Sequence, residues 1–156
     1  MARYAVSNAQ GTTQANTTTY KTQIDLTAAT GATTLRKAWI YDVMFGADGT
    51  PADNAMSYKL DRQTSTGTRT SATPAPLDSG DAAALITAGV CTTIEGIVTS
   101  ATQLLEVGVN QRASYRWAAA PGGELVVPAT NVAGIGLRSK SPAYTGTVLC
   151  SINFWE

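Results

Sequence analysis

The feature that most constrains this chain is an alternation of period two. Successive strand residues point to opposite faces of a sheet, so alternating apolar and polar residues fit a strand with one buried face. Tyr20, Thr22, Ile24 and Leu26 form one such face, and Met56, Tyr58 and Leu60 form another within Ala55–Gln63. Further runs lie at Val90–Glu95, Leu104–Val109, Ser114–Ala118, Glu124–Val127, Asn131–Leu137 and Gly146–Trp155. Leu35–Phe45 is the longest candidate. Its odd positions are mostly apolar, and bulky residues also sit among its even positions, which suits a strand covered on both faces. Turn signals separate the runs, including Gly46-Ala47-Asp48-Gly49-Thr50-Pro51 and Pro121-Gly122-Gly123. The pattern predicts an all-β chain, an antiparallel β-sandwich or jelly roll of about eight strands.

Two stretches depart from it. Thr64 to Ala84 is polar, then rich in proline and alanine, and is the least strand-like part. Asp81 could accept the free N–H groups of a first helical turn, so one short helix is expected over Ala82–Thr87. Residues 1–19 are rich in Thr, Asn and Gln, and are expected to form an extended arm too polar to pack alone. The expected organisation is an arm over 1–19 and a single sandwich domain over 20–156, a size at which one core suffices.

Composition narrows the chemistry. The 156 residues carry eleven basic and eleven acidic side chains and no histidine. Charged residues make up only 14%, against about 25% in ordinary soluble domains. There is no basic patch for nucleic acid. No histidine is present to act as a general base or bind zinc. A neutral, charge-poor surface favours association. The four lysines sit in polar contexts. The carboxylates Asp42, Glu95, Glu106 and Glu124 could face one another in any sandwich, so they carry no specific signal of catalysis. Gly134-Ile135-Gly136 lacks the third glycine and following helix of a phosphate loop. The loop aspartates lack the dense spacing of a calcium loop. Trp39, Trp117 and Trp155 fall in alternating runs where core packing is the default. Cys91 and Cys150 show no CxxC pattern and read as buried, reduced thiols. The expectation is therefore no catalytic residues, no metal, no cofactor and no small-molecule substrate. No apolar signal-peptide core and no membrane-length apolar run is visible, so synthesis in a cytoplasm, with no membrane partner, is expected.

The C-terminal half is more specific. It runs from Val109-Asn110-Gln111-Arg112 through Tyr115-Arg116-Trp117 and Pro121-Gly122-Gly123-Glu124-Leu125-Val126-Val127-Pro128, then Gly134-Ile135-Gly136-Leu137-Arg138, to Phe154-Trp155-Glu156. With the Gly46–Ala55 turn block and the Thr73–Asp78 loop, it resembles the small structural proteins encoded in the head-gene regions of tailed bacteriophages. The resemblance covers roughly Leu35 to Glu156. It implies a capsid decoration, or cement, protein: a jelly-roll homotrimer on the outside of an icosahedral head that ties together the capsomers of the major capsid protein. The alternatives are a tail or fibre jelly-roll protein and a carbohydrate-binding jelly-roll module. Interface candidates are Arg3, Tyr4, Thr17 and Thr18 in the arm, and Arg112, Arg116 and Arg138 near the charge-poor strands, where the planar guanidinium suits interface carboxylates. Arg112 and Arg116, four apart, would share a face if they lie on one strand.

Overall fold

The computed structural model describes residues 1–8, 12–14, 17–28, 35–141 and 146–156, and the side chains of all of these except 12–14, 17, 91, 100 and 101. Among the described residues there are thirteen strands and no helix. They are β1 (Arg3–Ser7), β2 (Thr12–Gln14), β3 (Thr17–Thr27), β4 (Ala38–Asp48), β5 (Ala55–Gln63), β6 (Thr68–Ala72) and β7 (Ala75–Pro76). Then come β8 (Thr87–Ile94), β9 (Val98–Asn110), β10 (Tyr115–Ala118), β11 (Leu125–Val127), β12 (Gly134–Ser141) and β13 (Gly146–Trp155).

The strands form two antiparallel sheets packed as a sandwich. One has the order β10-β4-β13-β1-β7, with β11 also on β4 and β2 also on β13; the other has the order β6-β8-β3-β12-β5-β9. The last two long strands are inserted at the middle of the sheets, β12 between β3 and β5 and β13 between β4 and β1. Neither sheet is complete until the C-terminal residues arrive. Ile24, Leu26, Met56, Tyr58, Leu60, Ile135 and Leu137 of one sheet meet Tyr4, Val6, Val43, Phe45, Ile152 and Phe154 of the other, all buried. Each such side chain contributes roughly 1.5–3 kcal/mol on leaving water. Phe45 stacks on Tyr58 with ring centroids 4.0 Å apart, and the Tyr58 hydroxyl donates to the Gly46 carbonyl at 3.2 Å. These contacts set β4 over β5.

Two bulges explain where simple alternation fails. Asn153 pairs with Asp42 but Phe154 pairs with Ile40, so Tyr41 is an extra residue in β4. Ala38 and Ile40 therefore point inward before the bulge and Val43 and Phe45 after it. That is why bulky residues occupy both parities of this strand. In β3, Leu137 pairs with Ile24 and Arg138 with Thr22, so Gln23 is the extra residue. Ile24 and Leu26 face the core, while Thr22 and Tyr20 belong to the outer face, contrary to the single face expected for all four.

Four expectations need correction. The strand count rises because β1, β2, β6 and β7, of two to five residues each, are too short for a local pattern to mark them. The arm does not stand apart: β1 pairs with β13 over five residues and with β7 on its other side. Averaging polarity over 1–19 hid the Tyr4/Val6 pair, whose alternation seats β1 in the sheet. Residues 9–11 and 15–16 of the expected arm lie outside the described residues, as do residues 29–34 and 142–145. No helix forms at Ala82–Thr87. Instead the Glu156 carboxylate accepts the N–H groups of Leu85 (2.8 Å) and Ile86 (3.1 Å), holding the segment extended and Ile86 buried. Asp78, not Asp81, organises the turn, its carboxylate accepting Gly80 N–H at 2.9 Å and its carbonyl accepting Asp81 N–H at 3.0 Å.

Candidate interaction surfaces

The inward parity of β1, β4 and β13 decides what their sheet offers outward. Lines of residues cross its outer face in register: Arg116, Met44, Ser151 and Ser7, then Ala118, Asp42, Asn153 and Ala5, then Trp39, Trp155 and Arg3. Most are small. Met44 and Leu149 are exposed apolar side chains beside a groove of about 580 Å³ that Ser7, Ser114 and Arg116 also line. One polar cluster interrupts this face. The Arg116 guanidinium donates two hydrogen bonds to Asp42, both 2.9 Å, and Asn153 Nδ2 donates a third at 3.2 Å. Asp42 is 4% exposed. The hydrogen bond from Arg116 holds its carboxyl below the usual range, Asn153 helps, and burial opposes both. The arrangement ties edge strand β10 to the sheet centre, and the far side of the guanidinium stays open to solvent.

The expected interface residues do not converge. Arg3 is exposed beside Trp155. Tyr4 is a core residue, 2% exposed, stacked on Phe154 with centroids 5.5 Å apart and donating to the Ala82 carbonyl at 2.9 Å. Thr18 is exposed, and the Thr17 side chain lies outside the described residues. Arg112 does not share a strand with Arg116. It lies in the turn between β9 and β10, where Asn110 Oδ1 accepts its N–H, and its guanidinium reaches Asp53 at 3.3 Å. Arg138 is buried, 6% exposed, in the other sheet. Trp39 and Trp155 are not core residues as expected. They are half-buried on the outer face and stack on each other at 4.2 Å and 11°.

The outer face of the six-stranded sheet holds a cluster the sequence reading missed. Gly134 and Gly136 of β12 leave room there, so polar side chains of β3 and β5 approach across them. Asp25 is fully buried, ion-paired with Arg69 from β6 and accepting from Gln63 Nε2 at 2.9 Å. Burial raises its pKa, outweighing Arg69 and Gln63. Lys59 lies 2.8 Å from Asp61 Oδ2, while Oδ1 of that carboxylate and Arg138 Nε have no hydrogen-bond partner among the described residues. The segment following β8 folds over this cluster. The Glu95 carboxylate accepts from Thr22 N–H and its hydroxyl, and the Gly96 carbonyl accepts weakly from Arg138 at 3.4 Å. Burial lowers the Arg138 pKa against the pull of Glu95, Asp61 and Asp25. Further along, Tyr20 carries the ammonium groups of Lys59 and Lys140 at 4.2 and 4.7 Å from its ring centre and donates to Glu106 at 2.7 Å. Burial first, then that hydrogen bond, pushes its phenol up to about 12. The spacing of Asp25 and Asp61 about two glycines of β12 was the available signal, and it needs the strand order to be read.

Cys150 is a free thiol in the core, and burial pushes its pKa up; the Cys91 side chain lies outside the described residues. Among the described residues no group of three or more His, Cys, Asp or Glu could hold a metal, and no helix is long and apolar enough to cross a membrane. The fold defines the chain as a two-sheet antiparallel β-sandwich protein. No protein-family model, curated protein or solved structure matches it.

Proposed function

We propose that this chain is a structural subunit of a tailed-phage particle: a decoration protein that docks as a homotrimer on the capsid exterior and bridges capsomers of the major capsid protein. The observation that best supports this reading is the outer face of the seven-stranded sheet. It is a broad surface of serines and alanines with a Trp39–Trp155 stack and exposed Met44 and Leu149, and its one deep-set charge, Asp42, is already neutralised by Arg116. Such a face suits docking by shape on a repeating lattice, where many weak contacts add up to firm attachment. The sequence resemblance to phage head-region proteins points the same way. The reading makes the protein a non-enzymatic component without a cofactor. Because β1 belongs to the sheet, the shell contact is assigned to this face rather than to a detached arm.

The carbohydrate-binding alternative draws on the surface position of Trp39 and Trp155. Their parallel stack spends one face of each indole on the other, which weakens them as a sugar platform. The test is quantitative mass spectrometry of purified particles, followed by heating of heads with and without the protein. A copy number comparable to that of the major capsid protein, with bare heads losing DNA at lower temperature, is the expected result. A handful of copies per particle would mean a tail position, and equal heat resistance of bare heads would end the decoration reading.

A further inference from the structure

One flank of the sandwich is left open. β4 lies over β5, so β10, the neighbour of β4, and β9, the neighbour of β5, end their sheets on the same side. β9 runs for thirteen residues and pairs only with β5 among the described residues. Gln111 N–H donates to the Asn54 carbonyl at 2.8 Å, which fixes the phase of the ladder. In an antiparallel pair the hydrogen-bonding residues alternate, so Val109, Val107 and Leu105 turn their peptide groups toward β5. Glu106 and Gly108 turn theirs outward. The side chains of Leu104, Leu105, Val107 and Val109, with Tyr115 and Trp117 of β10, reach the core but remain only partly buried.

A monomer normally blunts such an edge with proline, lysine, an inward charge or a short strand. β9 contains neither proline nor lysine, and its register irregularities fall before Leu105, leaving Leu105–Asn110 regular. Thirteen residues at about 3.3 Å each give a strip about 40 Å long, and two sheets about 10 Å apart with their side chains make it roughly 20 Å wide. That is on the order of 800 Å², the share one partner contributes to a stable interface. Eleven acidic and eleven basic residues give copies of this chain no net repulsion.

We infer that this flank is the self-association surface, on which a second copy of the chain adds a strand to β9. The inference names the contact within the homotrimer of the proposed reading and rests on that reading for its stoichiometry. It is tested on the isolated protein, whereas the decoration reading is tested on particles.

The experiment compares wild type, Gly108→Ala and Gly108→Pro by sedimentation across the micromolar range, with hydrogen exchange at Glu106 and Gly108. A Cβ at Gly108 meets nothing within 4 Å, so the alanine variant is a fair control. Proline deletes an outward N–H and leaves the β5 ladder intact. Wild type and Gly108→Ala are expected to associate with slow exchange at the outward amides. Gly108→Pro is expected to associate at least tenfold more weakly with an unchanged circular dichroism spectrum. Gly108→Lys, which places a charge on the edge where an added side chain meets nothing within 4 Å, serves if the proline variant does not fold, and it too should associate at least tenfold more weakly. A monomeric wild type would overturn the inference, as would full association of the folded edge variant. A dimer formed through this edge would keep the surface and overturn the trimer.

Discussion

Gly89→Ala is expected to destabilise the protein through a side chain rather than through the backbone. Gly89 of β8 lies opposite Asp25 of β3 and Ser71 of β6. Arg69 crosses directly over it to reach Asp25, and a Cβ at position 89 would sit 1.9 Å from Arg69 Cδ and 2.7 Å from its Cγ and Nε. The arginine must therefore move, and it is tethered: it also donates to Thr27 Oγ1 and Thr87 Oγ1, each at 3.1 Å. The side chains of Arg69 and Asp25 are 14% and 1% exposed. Removing one partner from a buried ion pair costs about 3–5 kcal/mol. Two features reduce that here. Gln63 still donates to Asp25, and burial already favours the protonated carboxyl. Replacing a strand glycine by alanine returns roughly 0.5–1 kcal/mol. The net expectation is a loss of about 2–3 kcal/mol in urea unfolding. The decisive assay is the double-mutant cycle with Arg69→Ala, in whose background Gly89→Ala should be neutral or slightly stabilising. An equal cost in both backgrounds would refute the reasoning and place the strain in the backbone, and a wild-type cost below about 0.5 kcal/mol would show that Arg69 moves freely.

Asp42 and Asp25 should give opposite pH dependences. The Asp42 pKa lies below 3.8, so its stability contribution is present above that value and lost as pH falls through the folded pKa. The Asp25 pKa lies above 3.8, so its contribution is present below that value and lost as pH rises through the folded pKa. Urea midpoints measured down the acid range should therefore fall less steeply in Asp42→Asn and more steeply in Asp25→Asn than in wild type. Val132 holds a φ of 55°, where a β-branched residue is strained, so Val132→Gly should raise stability by about 1 kcal/mol in the same assay. Tyr4→Ala, which removes a stacked core ring, should cost about 3–5 kcal/mol. A detached arm would make that change neutral.

Much of the sandwich was legible because alternation reports which face of a strand is buried. Ala55–Gln63 reads correctly to the residue, and the inward row Val148, Cys150, Ile152 and Phe154 holds across β13. What failed was whatever depends on partners distant in sequence. The bulges at Tyr41 and Gln23 are set by pairing with β13 and β12, so no local pattern marks them. β1 carries only two core residues, Tyr4 and Val6, too few to stand out in a polar stretch. The absent helix turns on Glu156, seventy positions away from Ile86. Arg112, Arg116 and Arg138 look equivalent in sequence, yet Arg116 bonds a buried carboxylate, Arg112 sits in a turn and Arg138 is buried within β12. Composition predicts that a charge-poor chain will hold few ion pairs, and it cannot say which carboxylates they engage.

That engagement leads to the last prediction. Asp25, Asp42, Asp53 and Asp61 are each matched within the chain to Arg69, Arg116, Arg112 and Lys59. Four of the eleven acids and four of the eleven bases are thus paired within the chain, and three of these four acids are deeply buried. What remains outward is a face whose side chains are uncharged apart from Arg3 and the already paired Arg116, and a long, nearly uncharged edge, with Glu106 the single ionisable side chain of β9. Neither surface can attract a partner across a Debye length, about 8 Å at physiological ionic strength. Association must then rest on shape, apolar contact and strand hydrogen bonds, none of which salt screens. Its on-rate should be the unsteered 10⁵–10⁶ M⁻¹s⁻¹ or so. Self-association and attachment to particles should both change by less than about threefold when salt is raised from about 50 to 500 mM. Stopped-flow mixing and particle pull-down at the two ionic strengths measure this. A loss of tenfold or more would mean that exposed charges such as Lys21, Arg36 or Lys37 carry the contact, and would move the docking surface away from the neutral faces.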